Sequence, residues 1–424
     1  MPEIKPFRAL RFTEQAGEIN TLCCPPYDII SDEQREGYLA ANPHNIIRLE
    51  LPRGEHPYNE AGCTLQSWLE QGVLRQDDRA GIYIYEEEFT ALGQVKRVKG
   101  FISRVKLTPF SEGVVLPHEE TLSKAKADRF ELMKATDCNF SQIYSLYFDE
   151  DRGVAGLIDA LSAREPDVYF TAEDGVIHRL WCVYDEAAAE QLCGLMRDKK
   201  AYIADGHHRY ETALNYRDHL RAQGRALEED DPANYVMMML VSMENEGLVV
   251  FPTHRVVKNL DRFDKEQVLA DCAAYFTVTE GMGDPQAALD AAYARGEKSF
   301  VLYTGTPVWH QLTLKDTAVM DELLPGKSEA GKQLDVSILH TLVLERIFGI
   351  DKENMANQLN LRYTRDAADA MKAVDGGEAN CAFLINPTRV SEIAAVAAAR
   401  EKMPQKSTYF YPKLITGLVM NRFA

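Results

Sequence analysis

Ala201-Tyr202-Ile203-Ala204-Asp205-Gly206-His207-His208-Arg209-Tyr210 runs from an apolar strand, through a glycine turn, into the start of a helix. A glycine at that point lets the backbone turn sharply and approach a ligand closely. Two histidines and an arginine follow at a helix N-terminus, where N–H groups and the helix dipole favour an anion. A carboxylate at the strand tip can hold a metal ion or take a proton. The bland alternative is a strand-end turn whose histidines cap the helix or face solvent. Five such groups in one turn favour an active-site loop instead. In it Gly206 and the first helical N–H groups cradle a phosphate, and His207, His208 and Arg209 add charge-assisted hydrogen bonds. Asp205 would bind magnesium or orient the nucleophile.

Outward from this loop the pattern stays α/β. Tyr210, Ala213, Leu214, Arg217 and Leu220 keep the three-four spacing of a helix, and Gly224 marks its end. Upstream, 82–85 and 98–107 read as strands flanking the turn Leu92-Gly93-Gln94. Downstream, 235–243 and 248–251 read as a hairpin that leads onto Pro252-Thr253-His254-Arg255. The last third reads as α+β, with helices expected over 265–274, 285–294, 336–348, 365–374 and 390–402. Strands are expected over 299–303 and 382–385, with a further strand led by Pro412. Three regions are expected: an N-terminal α/β region over 1–100, a catalytic core over 101–258, and a C-terminal α+β region over 259–424 that closes the substrate site.

The chain has 424 residues, 46% hydrophobic and 26% charged, as soluble globular proteins do. Its formal net charge of −18, from 47 basic and 65 acidic residues, disfavours binding to nucleic acid or to anionic membrane. Met1-Pro2-Glu3-Ile4-Lys5 lacks the apolar segment of a signal peptide, and no apolar run is long enough to cross a bilayer, so a cytoplasmic protein is expected. The eight cysteines are scattered without a CxxC pair, which is the usage of a reduced compartment.

Other constellations carry weaker signals. Pro117-His118-Glu119-Glu120 joins a proline-fixed turn, an imidazole and carboxylates. A carboxylate there could act as general base toward a hydroxyl, although acidic residues at a helix start are also ordinary dipole chemistry. Lys124, Lys126 and Arg129 on the next turns read as a solvated face. Thr253-His254-Arg255 could line a cleft or form a structural turn, Lys406-Ser407-Thr408 offers a cation and two hydroxyls, and Pro25-Pro26-Tyr27-Asp28 reads as a rigid turn. There is no GxxxxGK[ST] loop, no GxGxxG after a strand and no GxSxG elbow, so any nucleotide is held by a less common device.

The Asp205–Arg209 run after an apolar strand resembles the phosphate-binding motif of the archaeal free-serine kinase, of the ParB/sulfiredoxin-like superfamily. Pro117-His118-Glu119 is similar to the segment carrying that kinase's catalytic glutamate. Gly376–Leu384, Pro387-Thr388 and Lys406-Ser407-Thr408 are similar to its late strand, turn and serine-recognition loop. The resemblance implies a ParB/sulfiredoxin-like catalytic core and a small-molecule kinase using Mg2+ with ATP or ADP. It makes Glu119 the base and Asp205 a second essential carboxylate, with Gly206, His207, His208 and Arg209 on the nucleotide phosphates. His118, Arg255, Lys406, Ser407 and Thr408 would hold a small hydroxyl metabolite, free L-serine first. Tyr409 and Phe410 stand where that kinase has an arginine and a histidine, so its cationic clamp is missing there. A nucleotide hydrolase on the same core and a non-catalytic nucleotide-binding protein are the alternatives. The whole chain also resembles the bacterial family catalogued as domain of unknown function 1015, with its Pro-Pro-Tyr-Asp start, Asp-Gly-His-His-Arg-Tyr core and Lys-Ser-Thr-Tyr-Phe end.

Overall fold

The computed structural model of the chain describes residues 2–119, 123–305 and 307–423, with the side chains of 123–125 outside that description. Glu120 and the Lys124 side chain, both named above, therefore lie outside it. The described chain is mixed α/β, as expected, and forms two compact units. The first comprises 1–117, 121–249 and 412–424, and the second comprises 118–120 and 250–411. The boundary expected at residue 100 falls inside the strand Gln94–Lys106, so the sequence on either side of it belongs to one sheet.

Among the described residues, the first unit is built on a mixed sheet of nine strands. Its middle is Tyr235–Ser242, which contains the apolar run Val236–Val241 and is buried at all eight positions, as a strand covered on both faces must be. One edge of this strand pairs antiparallel with Gln94–Lys106, and the other pairs parallel with Ile143–Tyr147. Gly100 makes that approach possible, because a Cβ there would lie 2.3 Å from the Leu240 carbonyl oxygen. With both edges taken, Tyr235–Ser242 has no place for the hairpin partner expected over 248–251. The segment Val249–Phe251 pairs with Tyr409–Tyr411 instead. Ile82–Ala91 and Gln94–Lys106 do form a hairpin, about the turn read at Leu92-Gly93.

Ala201–Asp205 lies near one edge of this sheet, parallel to Val115–Leu116 and antiparallel to Ile143–Tyr147. Its register shifts between Ile203 and Asp205, and such irregularities re-aim side chains at strand ends. The helix His207–Ala222 follows directly and buries Tyr210, Ala213 and Tyr216 in the main core with Phe101, Val236 and Met238. Tyr210 and Ala213 are positions read from the sequence and Tyr216 is not, while Leu214 and Leu220, also read there, pack partly buried against the same core. A second core gathers Leu10, Leu65, Trp68 and Met420.

The second unit centres on an antiparallel sheet of six strands among the described residues. Alternation sorts its residues to two faces. Val257, Phe300, Leu302 and Phe383 pack with Leu339, Leu342 and Val343, while Val256, Val301, Ala382 and Leu384 pack with Leu289, Ala370 and Ala373. The helix expected over 336–348 is a short α turn, Asp335–Ile338, that widens into a π-helix, Leu339–Glu345. The helix expected to reach 402 stops at Ala398. The strand expected to start at Pro412 is Tyr409–Tyr411 and ends before the proline, which has no N–H to give a ladder. Among the described residues, no helix is long and apolar enough to cross a membrane.

Candidate functional site

In the first unit the sheet delivers Asp205 to the start of a helix. Gly206 is the residue before that helix and sits at φ 93°, a conformation that glycine adopts without a Cβ penalty. A Cβ there would also meet the Arg209 guanidinium at 2.9 Å. The turn is thus closed over its own arginine. Arg209 Nη2 donates to Asp205 Oδ2 at 2.7 Å and Nη1 donates to the Gln142 carbonyl at 2.6 Å. The Lys413 ammonium donates to the other Asp205 oxygen. Burial alone would raise the Asp205 pKa, but Lys413 and Arg209 outweigh it and hold the carboxyl well below the usual range. His207 is buried and His208 half-buried in the first helical turn. The cluster is therefore ionised and net cationic at the positive end of a helix dipole, the electrostatic condition for anion binding.

A metal ion fits this arrangement poorly. Both Asp205 oxygens already accept from cations, and a divalent ion would sit against two positive charges. Among the described residues, no group of three or more His, Cys, Asp or Glu side chains is placed to hold a metal. The expected role of Asp205 as a magnesium ligand does not match its surroundings, in which it is the counter-ion of Lys413 and Arg209.

Residues read as bland back this loop. Arg129, expected on a solvated face, is 5% exposed; it donates to the Glu50 carbonyl at 2.7 Å and lies 4.0 Å over the Tyr27 ring. Lys126 pairs with Glu211 at 2.8 Å. Glu50 is buried and accepts from Ser141 at 2.9 Å. Burial pushes its carboxyl up, and Arg129 and Arg209 act against that rise. Glu50, Arg129, Ser141, Arg209 and Thr212 line a void of about 30 Å³, room for one water. Tyr27, from the turn Pro25-Pro26-Tyr27-Asp28, is thus a support of the Arg209 region through Arg129. Sequence signals for Lys413 and Gln142 were absent: a lone lysine after a proline and a lone glutamine carry no pattern.

In the second unit the segment around Glu119 meets the loop after Met403. Glu119 forms a β-bridge with Met403, and the Met403 N–H donates to the His118 carbonyl at 2.6 Å. Glu119 Oε1 accepts the Ser407 N–H at 2.7 Å, and His118 Nε2 bonds Thr408 Oγ1 at 2.9 Å. Lys406 adopts φ 56°, and the Ser407 hydroxyl donates to the Pro404 carbonyl at 2.5 Å. Thr388 donates to the Ser407 carbonyl at 2.9 Å. Lys406, Ser407 and Thr408 are therefore a tightly specified turn, and Glu119 is one of its anchors.

Arg255 lies under the same turn and is wholly buried. Its Nη2 donates to the Lys406 carbonyl at 3.1 Å and to His340 Nε2 at 3.1 Å, and its Nη1 donates to the Thr253 carbonyl. The Tyr363 ring faces the guanidinium at 5.3 Å. Burial lowers the Arg255 pKa to about 10, so the group stays charged near neutrality. Burial, then the Arg255 charge, holds His340 well below its ordinary value, so its imidazole is neutral and Nε2 accepts. His340 stands on the π-helical part of the segment expected as a helix over 336–348, a widening that the sequence did not announce.

The residues expected around a substrate thus gather in the second unit: His118, Glu119, Arg255, Lys406, Ser407 and Thr408. Those expected on nucleotide phosphates, Gly206, His207, His208 and Arg209, gather with Asp205 in the first.

Solved structures similar to this chain include a conserved hypothetical protein from Pyrococcus furiosus. It is 14% identical, with 73% of this chain and 92% of that one covered, at a TM-score of 0.36. A free serine kinase in complex with AMP is 14% identical, covering 73% of this chain and 88% of its own, at 0.36. A variant of free serine kinase in complex with ADP is 13% identical over the same shares, at 0.37. No curated protein matches the chain. Residues 4–337 match the model of a family described as protein of unknown function (DUF1015), and the chain belongs to that family.

Proposed function

We propose that the protein transfers a phosphoryl group from a nucleotide, ATP or ADP, to the hydroxyl of a small metabolite, with free L-serine the first candidate and O-phosphoserine its product. The observation that carries this reading is the seating of Glu119 on the Ser407 N–H, 288 residues away in sequence. A carboxylate held rigidly against a turn of hydroxyls and amides is what a general base for an alcohol needs. The alternative, a carboxylate that only stabilises a turn, does not account for the cationic, glycine-turned helix start on which the same chain can hold phosphates.

In this reading Gly206 and the N-terminal turn of His207–Ala222 hold the donor's phosphates, with His207, His208 and Arg209 adding positive charge. Such positioning and charge neutralisation supply most of the catalysis in phosphoryl transfer. The Glu119 carboxylate takes the acceptor's hydroxyl proton as that oxygen bonds to phosphorus. The bond from phosphorus to the bridging oxygen breaks, and the nucleotide leaves with one phosphate fewer. His118, Lys406, Ser407 and Thr408 orient the acceptor. Arg255, beneath Lys406, supplies the positive field that Tyr409 and Phe410 do not.

The test is transfer from labelled ATP and ADP, with and without L-serine. Labelled O-phosphoserine that disappears in Glu119→Gln, while nucleotide binding persists, supports the assignment. Full activity in Glu119→Gln would remove Glu119 as the base. Release of inorganic phosphate without an acceptor would make the protein a hydrolase.

A further inference from the structure

The second unit contains a cavity of about 150 Å³ that none of the roles above uses. A void of that size holds a molecule of roughly six heavy atoms. One wall is His340 and Tyr363, the two side chains that flank the Arg255 guanidinium. The wall also includes the π-helical turn carrying Thr341 and Glu345; widened turns of this kind recur at functional sites. Lys327, Lys352 and Lys402 also line it, against the single carboxylate of Glu345, so the lining is cationic.

Two further features indicate what the cavity takes. Arg255 is wholly buried, yet its acceptors are a neutral imidazole and two backbone carbonyls. Among the described residues, no carboxylate is within ion-pair distance of it. The Glu119 charge favours the ionised guanidinium but burial outweighs it. A buried cation compensated only in part is costly, and a nearby anion removes that cost. Second, the Tyr363 hydroxyl is buried and has no hydrogen-bond partner among the described residues. An unmade bond of this kind in a cavity wall marks a place where a ligand oxygen would be bound.

We propose that this cavity is a binding site for a small organic anion, with one carboxylate or phosphate group on a short apolar stem. The anionic group lies toward Tyr363 and the lysines, in the field of Arg255, and the stem lies against Leu324 and Met355. The proposal does not depend on phosphoryl transfer, and its test reads binding alone.

The experiment is calorimetric titration of the full chain with butyrate, inorganic phosphate and, as a cationic control, butylamine. Saturable binding of butyrate or of phosphate, and none of butylamine, is expected; whichever anion binds identifies the headgroup. Tyr363→Phe should weaken that anion about tenfold, the worth of one hydrogen bond to a charged group. Its melting temperature should stay the same or rise, because it removes an unpaired buried hydroxyl. Lys402→Met should weaken binding as well. If neither anion binds up to about 20 mM, a limit well above millimolar affinity, the proposal fails. It also fails if Tyr363→Phe and Lys402→Met both bind within twofold of the parent.

Discussion

Replacing Asp205 by Asn removes one charge and leaves two cations facing each other. The Asp205 side chain is 18% exposed, Lys413 12% and Arg209 14%. Removing one partner of a fully buried ion pair costs about 3–5 kcal/mol. Partial exposure screens these charges, which brings the expected loss to about 2–4 kcal/mol. The pH dependence has a defined sign. Lys413 and Arg209, outweighing burial, depress the folded pKa. The contribution is therefore fully present above the ordinary carboxylate value of about 4 and is lost as pH falls below it. Asp205→Asn should lose stability at pH 7 and be less sensitive to acid than the parent. Trp68 and Trp181 lie in the first unit and Trp309 in the second. In a Trp309→Phe background, urea unfolding followed by fluorescence therefore reports the first unit alone. The double variant Asp205→Asn, Lys413→Met should recover part of the loss, because it removes one of the two stranded cations. A single variant within about 0.5 kcal/mol of the parent, the range of ordinary surface substitutions, would refute the ion-pair reasoning.

Three other outcomes follow from named geometry. Gly206→Ala should cost about 1–2 kcal/mol through its φ of 93° and the contact with Arg209, and should weaken nucleotide binding measured by calorimetry. Glu87 is wholly buried, and burial pushes its carboxyl up to about 8 against the hydrogen bond from Tyr85. Its contribution is present below about pH 4.5 and falls as pH rises toward 8, by at most about 1.4 kcal/mol per pH unit. His178 beside it, driven down to about 4 by burial, acts in the opposite sense only below about 6.5. Between pH 6.5 and 8 the parent's first unit should therefore lose stability, and Glu87→Gln should flatten that slope in the same fluorescence assay. Arg129→Met should lower the melting temperature by several degrees, as loss of a buried, ring-stacked cation does, where a solvated arginine would leave it unchanged.

The sequence was most readable where one period governed a segment. The helix His207–Ala222 and the strands Ser299–Tyr303 and Cys381–Ile385 show a local rule in agreement with packing. The false hairpin at 235–251 shows the opposite case. Turn residues at Asn245 and Gly247 are a local signal, but neighbours from residues 94–106 and 143–147 had already taken both edges of Tyr235–Ser242. The helix over 336–348 was legible, but its widening into a π-turn at Leu339–Glu345 was not, because the choice between i+4 and i+5 hydrogen bonds leaves no mark in the residue types. At the candidate site, groups adjacent in sequence were visible as Asp205–Arg209 and as His118-Glu119. Their partners Lys413, Gln142, His340 and Arg129 come from distant segments and carry no motif, since a single cation or amide is meaningful only by what it touches.

The use of residues 412–424 to finish the first unit has a consequence for the order of synthesis. Met420 is fully buried beside Leu10, and Asn421–Arg422 pairs with Cys138–Asn139. When a ribosome has passed Arg209, Asp205 has only one of its two cations, and the other is made some two hundred residues later. The entire second sheet is translated in that interval. An unfinished chain should thus expose the seat of residues 412–423 to chaperones until translation is nearly done, and a nascent chain arrested before Pro412 should be cut by protease in the first unit where the released protein is not.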